Sequence, residues 1–264
     1  MMRRGRALSL MALVVTSTAF AQDSKLRRLT TGIDAGAWQA VGRLNVGEKG
    51  FCTGALIAED MVLTAGHCLF DKDTGARIPA DEIEFLAGWR DGRASAYRTV
   101  KQAVLHPNYN RADQTRAAQM RYDLALLRLD HPIRDGRIKP FDTATRPGPG
   151  AEVALVSYGK GRAEAPSMQD TCTVIGQQDG VLVTSCSVEL GSSGAPIFVI
   201  EEGEVHIVSV VSAKAEVEGQ AVSLGTSLGT PLAQLQAELV AQSEVGNIRV
   251  GGPRNDTGAK FITP

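Results

Sequence analysis

Three short segments of the chain carry side chains of the types that catalyse acyl transfer. Ser193 lies in a Gly-Ser-Ser-Gly-Ala-Pro stretch at 191–196, His67 follows Thr-Ala-Gly, and Asp123 precedes an apolar Leu-Ala-Leu-Leu run. A serine hydroxyl is a poor nucleophile at neutral pH unless a base takes its proton. An imidazole can take and return that proton, and a carboxylate can hold the imidazole in the required tautomer. These residues predict nucleophilic catalysis by a serine–histidine–aspartate triad.

His67 and Asp123 are the best candidates among several residues of their types. A lone histidine is usually structural or solvent-exposed, but His67 is followed directly by Cys68, which can clamp the end of its strand. Asp123 alone opens an apolar strand, where a buried carboxylate needs a partner such as an imidazole N–H. We interpret the competing residues as structural or solvated: His106, His131, His206, Asp113 and Asp130.

The elements that must position these residues read as strands. Short β-branched or alternating segments recur throughout, separated by Gly, Pro, Asp or Asn, and this spacing favours an all-β sandwich or barrel. Thr230 as N-cap, proline in the first turn and leucines at helical spacing predict one helix over 231–240. The polar stretch 111–121 is predicted to be a solvated loop. The predicted strands are 38–46, 51–57, 61–65, 83–87, 98–105, 124–129, 152–158, 170–175, 181–185, 195–199 and 205–211.

The first 21 residues have the pattern of a secretory signal. Three arginines precede a short apolar run, and Ala-Phe-Ala at 19–21 fits the small-x-small cleavage rule. The run is too short to span a bilayer, so we expect a secreted or periplasmic protein with no membrane insertion after signal removal. Removing three of the 28 basic residues with this leader leaves 25 against 29 acidic ones, a net charge of −4. That balance argues against nucleic acid as a partner.

Four cysteines in an exported chain favour two disulfides. Cys52 and Cys68 flank a strand–turn–strand unit, so antiparallel pairing brings them roughly opposite each other. Cys172 and Cys186 flank a second hairpin, for which we predict a three-residue turn at 178–180 with its glycine in the left-handed conformation. A zinc site is a poor alternative because the pairs lack tight C-x-x-C spacing. No metal or other cofactor is implied.

Four segments, 51–57, 64–68, 106–110 and 191–196, resemble in this order the trypsin-like (chymotrypsin-fold) serine proteases of bacterial type. The stretch from Phe-Cys-Thr-Gly at 51–54 to His67 and Cys68 is similar to the segment between the first cysteine and the base histidine. His-Pro-Asn-Tyr-Asn at 106–110 and the 191–196 stretch are similar to two further family motifs. The resemblance implies two six-stranded antiparallel β-barrels with a C-terminal helix, and an active site in the cleft between the barrels.

The resemblance also assigns the serine and the oxyanion hole. Family alignment places the nucleophile directly before Gly194, which selects Ser193 over Ser192, with the N–H groups of Gly191 and Ser193 as oxyanion donors. In animal members the residue before the nucleophile is an aspartate that pairs with a new amino terminus. Here it is Ser192, so that ion pair cannot form, although Arg-Leu-Thr-Thr-Gly at 28–32 resembles an activation site. An alanine also replaces the family's glycine at position 195.

The resemblance also implies a substrate pocket, whose floor and wall lie at family positions counted from the nucleophile. Ser187 would form its floor and Ser212, Ala213 and Lys214 its wall. A neutral floor cannot neutralise a buried arginine or lysine, so we expect apolar or small residues at the cleavage position. Lys214 could narrow the pocket or attract an acidic side chain, or it could point to solvent. The carboxylate of Glu189 could restore a basic preference.

The resulting hypothesis is an exported serine endopeptidase that works through an acyl-enzyme intermediate on protein or peptide substrates. A protein inhibitor is a further candidate partner. The alternatives are a catalytically silent secreted binding protein on the same fold and an esterase, whose usual elbow motif does not fit. The domain hypothesis has these parts: 1–21 signal peptide, 22–28 short propeptide, 29–138 N-terminal barrel, 139–243 C-terminal barrel with helix, and 244–264 flexible tail.

Overall fold

The computed structural model of the protein describes residues 25–47, 50–112, 115–145 and 147–250, so the predicted leader and the last fourteen residues of the tail lie outside it. The described chain is mostly strand. Its elements are β1 (Arg27–Arg28), β2 (Val41–Val46), β3 (Gly50–Ala58), β4 (Met61–Thr64), β5 (Ile83–Ala87), β6 (Ala96–Leu105), α1 (Arg116–Arg121), β7 (Ala125–Leu129), β8 (Asp142–Thr143), β9 (Glu152–Ser157), β10 (Ser167–Gln178), β11 (Val181–Thr184), β12 (Pro196–Glu201), β13 (Glu204–Val217), β14 (Gln220–Ser227) and α2 (Gly229–Val250).

The first six long strands close into an antiparallel barrel in the order β2-β3-β4-β7-β6-β5. A two-residue turn joins β3 to β4, and the long connections between later strands carry short 3₁₀ helices and α1. Side chains on the inner face of β7 and β4 are fully buried, which explains the apolar run that follows Asp123. The predicted first barrel is confirmed.

The second barrel is closed by pairings β9-β10-β11-β14-β13-β12-β9, all antiparallel. Strand β1 adds to the edge of β10, and β8 pairs in parallel with β13. The predicted two-barrel, all-β architecture with a C-terminal helix is therefore confirmed. Because Arg27 and Arg28 pair with Met168 and Ser167, the segment before the first barrel belongs to the second one.

Three local predictions differ from the structure. The 178–180 turn is a two-residue turn at Asp179 and Gly180, both with positive φ, as an Asp-Gly hairpin favours. Part of the predicted loop 111–121 forms α1, because the Thr115 hydroxyl caps it by accepting from Ala118 N. Helix α2 extends past 240 to Val250, since no proline interrupts it, so 244–250 is helical rather than an irregular tail.

Aromatic side chains join the two barrels. Phe198 of β12 packs against Trp38 and Phe141, with ring centroids 5.1 and 4.8 Å apart, and all three are buried. The backbone N–H of Phe141 also donates to Leu56 O in the first barrel. This apolar contact sets the relative position of the barrels and hence of the residues along their cleft. No helix in the described part of the chain is long and apolar enough to cross a membrane.

Candidate active site

His67 is held at the end of β4 by its own backbone and by the next residue. It lies in a short 3₁₀ helix, Gly66–Leu69, and its N–H donates to Asp123 Oδ1 at 2.7 Å. Cys68 is bonded to Cys52 of β3, so the helix cannot move away from the barrel. The imidazole Nδ1 lies 2.7 Å from Asp123 Oδ2. The ring is therefore fixed in position, while 28% of its side chain stays exposed to the cleft.

Asp123 is a buried carboxylate with hydrogen-bond donors on both oxygens. Only 4% of its side chain is exposed. Oδ1 accepts from His67 N, and Oδ2 lies against His67 Nδ1 and accepts a short hydrogen bond from the Ser212 hydroxyl. A buried carboxylate needs such partners to stay ionised. With Nδ1 facing the carboxylate, Nδ1 carries the ring proton and Nε2 is left with a free lone pair.

Ser193 lies on the connection between β11 and β12, which is tied to the first barrel. Thr53 of β3 makes both ties: its N–H donates to Ser193 O at 2.8 Å, and its hydroxyl donates to Gly191 O at 2.9 Å. Gly194 packs so closely that a Cβ would lie 2.1 Å from Thr64 Oγ1, and its φ of +79° also requires glycine. The turn is thus docked on the strands that carry Cys52 and lead to His67.

The two adjacent serines differ sharply in environment. Ser192 is 0% exposed, and its hydroxyl lies 3.0 Å from Tyr158 O and 2.9 Å from Arg162 Nη2, while it accepts from Glu189 N at 3.2 Å. Ser193 is partly exposed. A nucleophile must reach substrate, so these environments favour Ser193 over Ser192.

Gly191, the predicted oxyanion donor beside Ser193, has a left-handed backbone with φ of +95°. A Cβ at this position would lie 2.2 Å from the Phe51 ring, so only glycine fits. Gly191 and His67 line the same open cleft of ≈ 700 Å³, together with Phe51, Leu190 and residues 71–74 and 76–79 of the loop after His67. The structure therefore brings His67, the predicted base, and Gly191, a predicted oxyanion donor, to one concave surface.

The four predicted pocket residues have different roles in the structure. Ser187 is exposed, and its N–H donates to Gln169 Oε1 at 2.7 Å. The buried Ser212 hydroxyl is used by Asp123, so this side chain supports the carboxylate. Ala213 is partly buried and Lys214 exposed. Lys214 Nζ pairs with Glu189 Oε1 at 2.9 Å, and this pair joins the Lys214 wall to the turn before Ser193.

Both cysteine pairs predicted from the hairpins are bonded in the structure. Cys52 joins Cys68 with Cα atoms 6.3 Å apart, and Cys172 joins Cys186 with Cα atoms 5.1 Å apart. The first pair lies beside His67, so its sulfur atoms and the imidazole cluster closely. Because these sulfurs are bonded to each other, they cannot act as thiolate ligands for a metal.

The sequence reasoning missed two polar residues around the turn, the buried Thr53 and the partly buried Arg162. Thr53 follows the first cysteine and contacts the turn 138 residues later, and its hydroxyl also accepts from Tyr158 N at 3.1 Å. Arg162 reaches Ser192 across 30 residues. The sequence around these residues does not predict their contacts with the turn. A threonine is common in strands, and an arginine after Gly-Lys-Gly is typical of a surface loop.

Comparison with known proteins agrees with this geometry. The sequence matches the family model described as Trypsin over residues 30–225. The chain belongs to the trypsin family. It is 29% identical to a CLIP domain-containing serine protease B10 from Anopheles gambiae over 223 residues, covering 66% of this chain and 60% of the relative. It is 31% identical to coagulation factor IX from Cavia porcellus over 114 residues, covering 41% of this chain and 35% of that protein. The chain thus spans less than two thirds of these relatives.

Solved structures of the same fold include two proteases. A Glu endopeptidase superposes with a TM-score of 0.67 at 15% identity, covering 85% of this chain and 100% of that one. The thermostable serine protease AL20, from an extremophilic microorganism, superposes with a TM-score of 0.60 at 19% identity, covering 75% and 94%. At these identities the likeness establishes the fold.

Proposed function

We propose that the protein is an exported serine endopeptidase that hydrolyses peptide bonds through Ser193, His67 and Asp123. The observation that carries the proposal is the contact of 2.7 Å between His67 Nδ1 and the buried Asp123 carboxylate. It orients the imidazole with Nε2 free to act as a base, beside a turn whose partly exposed Ser193 lies two residues after the left-handed Gly191.

The reaction follows from these positions. Ser193 Oγ attacks the substrate carbonyl carbon as His67 Nε2 takes its proton, and the carbonyl oxygen becomes an oxyanion. The N–H groups of Gly191 and Ser193 donate to this oxyanion. As the tetrahedral intermediate collapses, His67 gives the proton to the leaving amine, and an acyl-enzyme remains. A water activated by His67 then attacks the ester and regenerates Ser193.

The substrates in this proposal are proteins or peptides, in line with the activity named for the family relatives. The disulfides Cys52–Cys68 and Cys172–Cys186 support an oxidising, extracytoplasmic compartment, as the predicted leader does. The Lys214–Glu189 pair neutralises both charges near the predicted pocket, so we expect no dominant cleavage after arginine or lysine.

A fluorophosphonate reagent tests the proposal, because only an activated serine reacts with it rapidly. We expect the wild type to label at Ser193 and to hydrolyse a peptide library. Ser193→Ala and His67→Ala should each lower kcat by about 10⁶-fold, since the triad acts as a unit. Ser192→Ala removes the neighbouring serine of the same turn and is the matched control. In this variant the label should still be on Ser193. A folded wild type that neither labels nor hydrolyses would instead indicate a silent binding protein, and a label lost only in Ser192→Ala would show that the nucleophile was assigned wrongly.

A further inference from the structure

A partly buried arginine, Arg162, contacts the turn that carries Ser193. Arg162 Nη2 lies 2.9 Å from both Ser192 Oγ and Ser157 Oγ, and Nη1 donates to Ser157 O. One guanidinium therefore connects the end of β9 to the residue directly before Ser193. The neighbouring N–H of Lys160 adds a backbone bond to Leu190 O at 2.7 Å.

The Ser192 hydroxyl has no hydrogen-bonding capacity to spare. A hydroxyl offers one donor and two acceptor positions. Arg162 Nη2 and Glu189 N occupy the acceptor positions, and the proton is directed to Tyr158 O or Ser157 Oγ. A further cation at this hydroxyl would have to displace the guanidinium.

The segment around Arg28 and Leu29 is bound to the second barrel near the start of β10. Arg28 pairs with Ser167 on β10, and the Leu29 N–H donates to Pro166 O at 2.9 Å. Leu29 itself is fully buried. The nitrogen that cleavage after Arg28 would expose is thus bonded to the second barrel through Pro166, and it does not contact Ser192.

The charge of Arg162 is costly at this position. Burial lowers the pKa of its guanidinium to about 10, and the nearby Glu189 charge opposes this only in part. Its hydrogen-bond partners at Ser157 and Ser192 are neutral oxygens. An apolar side chain would fill the space without this cost, but it would leave the Ser192 hydroxyl with an empty acceptor position.

We propose that Arg162 is a positioning residue that holds the 189–194 turn in its catalytic conformation, and that activity therefore needs no new amino terminus at Leu29. This inference rests on the proposed endopeptidase function. The guanidinium acts through Ser192: it fixes the residue before Ser193 and with it the direction of the Gly191 N–H. Substrate does not contact Arg162 in this scheme.

Replacing Arg162 by methionine keeps the volume and removes the donors. We expect Arg162→Met to lower kcat by about 10- to 100-fold and to leave KM within about 2-fold, because oxyanion donors act in the transition state. Affinity for a peptide aldehyde should fall by the same factor as kcat/KM, and Arg162→Lys should recover part of both. Arg137→Met, which removes an exposed arginine, is the matched control and should match the wild type.

Two further variants keep the inference testable if Arg162→Met does not fold. A Cβ on Gly159 would lie 2.8 Å from the Arg162 guanidinium, so Gly159→Ala should displace it and lower kcat while the arginine remains. Arg28→Gln should keep the wild-type kcat/KM. Mass spectrometry should show that the peptide bond between positions 28 and 29 is intact in this variant. Amide hydrogen exchange of the 189–194 peptide should rise in Arg162→Met and not in Arg137→Met.

The outcomes separate the two proposals. A wild type that does not label with fluorophosphonate overturns the endopeptidase function, and this inference with it. A wild type that labels and turns over, together with unchanged kcat in both Arg162→Met and Gly159→Ala, overturns the inference alone. So does an Arg28→Gln variant that stays inactive while the wild type becomes active only after cleavage at Arg28.

Discussion

Replacing Thr53 by valine should both destabilise the protein and slow catalysis. Thr53 is fully buried in β3, and its hydroxyl donates to Gly191 O and accepts from Tyr158 N. Valine has nearly the same shape and keeps the backbone bond from residue 53 to Ser193 O. The substitution therefore removes only the two hydroxyl-mediated bonds that join the first barrel to the turn and to the end of β9.

The size of the effect follows from the groups left without that partner. Gly191 O and Tyr158 N lie in buried residues, and a buried polar group without its partner costs about 1–3 kcal/mol. For two such groups we expect Thr53→Val to lower the free energy of unfolding by about 2–6 kcal/mol, which at an m-value of about 3 kcal/mol/M lowers the urea midpoint by about 0.7–2 M. Because Gly191 is the proposed oxyanion donor, kcat should also fall by about 10- to 100-fold, less than the loss expected when a donor is removed altogether.

Thr53→Ser separates the hydroxyl from the methyl group. It keeps both hydrogen bonds and loses one buried methyl, which costs about 1 kcal/mol. Urea unfolding followed by tryptophan fluorescence gives the stability, and peptide hydrolysis gives kcat. If the valine and serine variants have the same midpoint and the same kcat, the Thr53 hydroxyl does not position the turn, and the reasoning from its two contacts is wrong.

Two further predictions concern pH and specificity. Burial lowers the pKa of His106 below its ordinary value of 6.5, so the unfolded chain takes up this proton first as pH falls, and stability is lost from about pH 6.5 downward. In urea unfolding at pH 5 to 8, His106→Phe should lose less stability toward pH 5 than the wild type; equal losses in the two proteins would exclude His106 as a cause. Lys214→Ala frees the Glu189 carboxylate and should raise cleavage after arginine and lysine by up to about 5-fold relative to other residues, as an exposed ion pair allows. A peptide-library profile that does not change between Lys214→Ala and the wild type would mean that Glu189 does not reach the pocket.

Spacing along the chain predicted the fold class and most of the strands, because each strand is a local pattern of alternating side chains. Strand β5 was predicted with its observed ends, and most other predicted strands differ by a few residues at one or both ends. The strands that were missed, β1, β8 and β14, have weaker patterns. Arg27 and Arg28 are polar residues that form a strand only because β10 offers an edge, and that edge is not visible in their own sequence.

The positions around the catalytic turn mark where sequence reasoning stopped. His67, Asp123 and Ser193 could be selected because each lies in a motif of several residues. The residues that hold the turn lie in no motif: Thr53 and Arg162 act through contacts 138 and 30 residues away along the chain, and only the folded structure brings these groups together. The replacement of the family's aspartate by Ser192 was visible in the sequence as the loss of an ion pair. In the structure the Ser192 hydroxyl accepts a hydrogen bond from the partly buried Arg162 guanidinium. The loss of the family's ion pair at Ser192 therefore has to be interpreted together with Arg162, which contacts the same position. These two residues lie in different connections of the second barrel, Ser192 between β11 and β12 and Arg162 between β9 and β10.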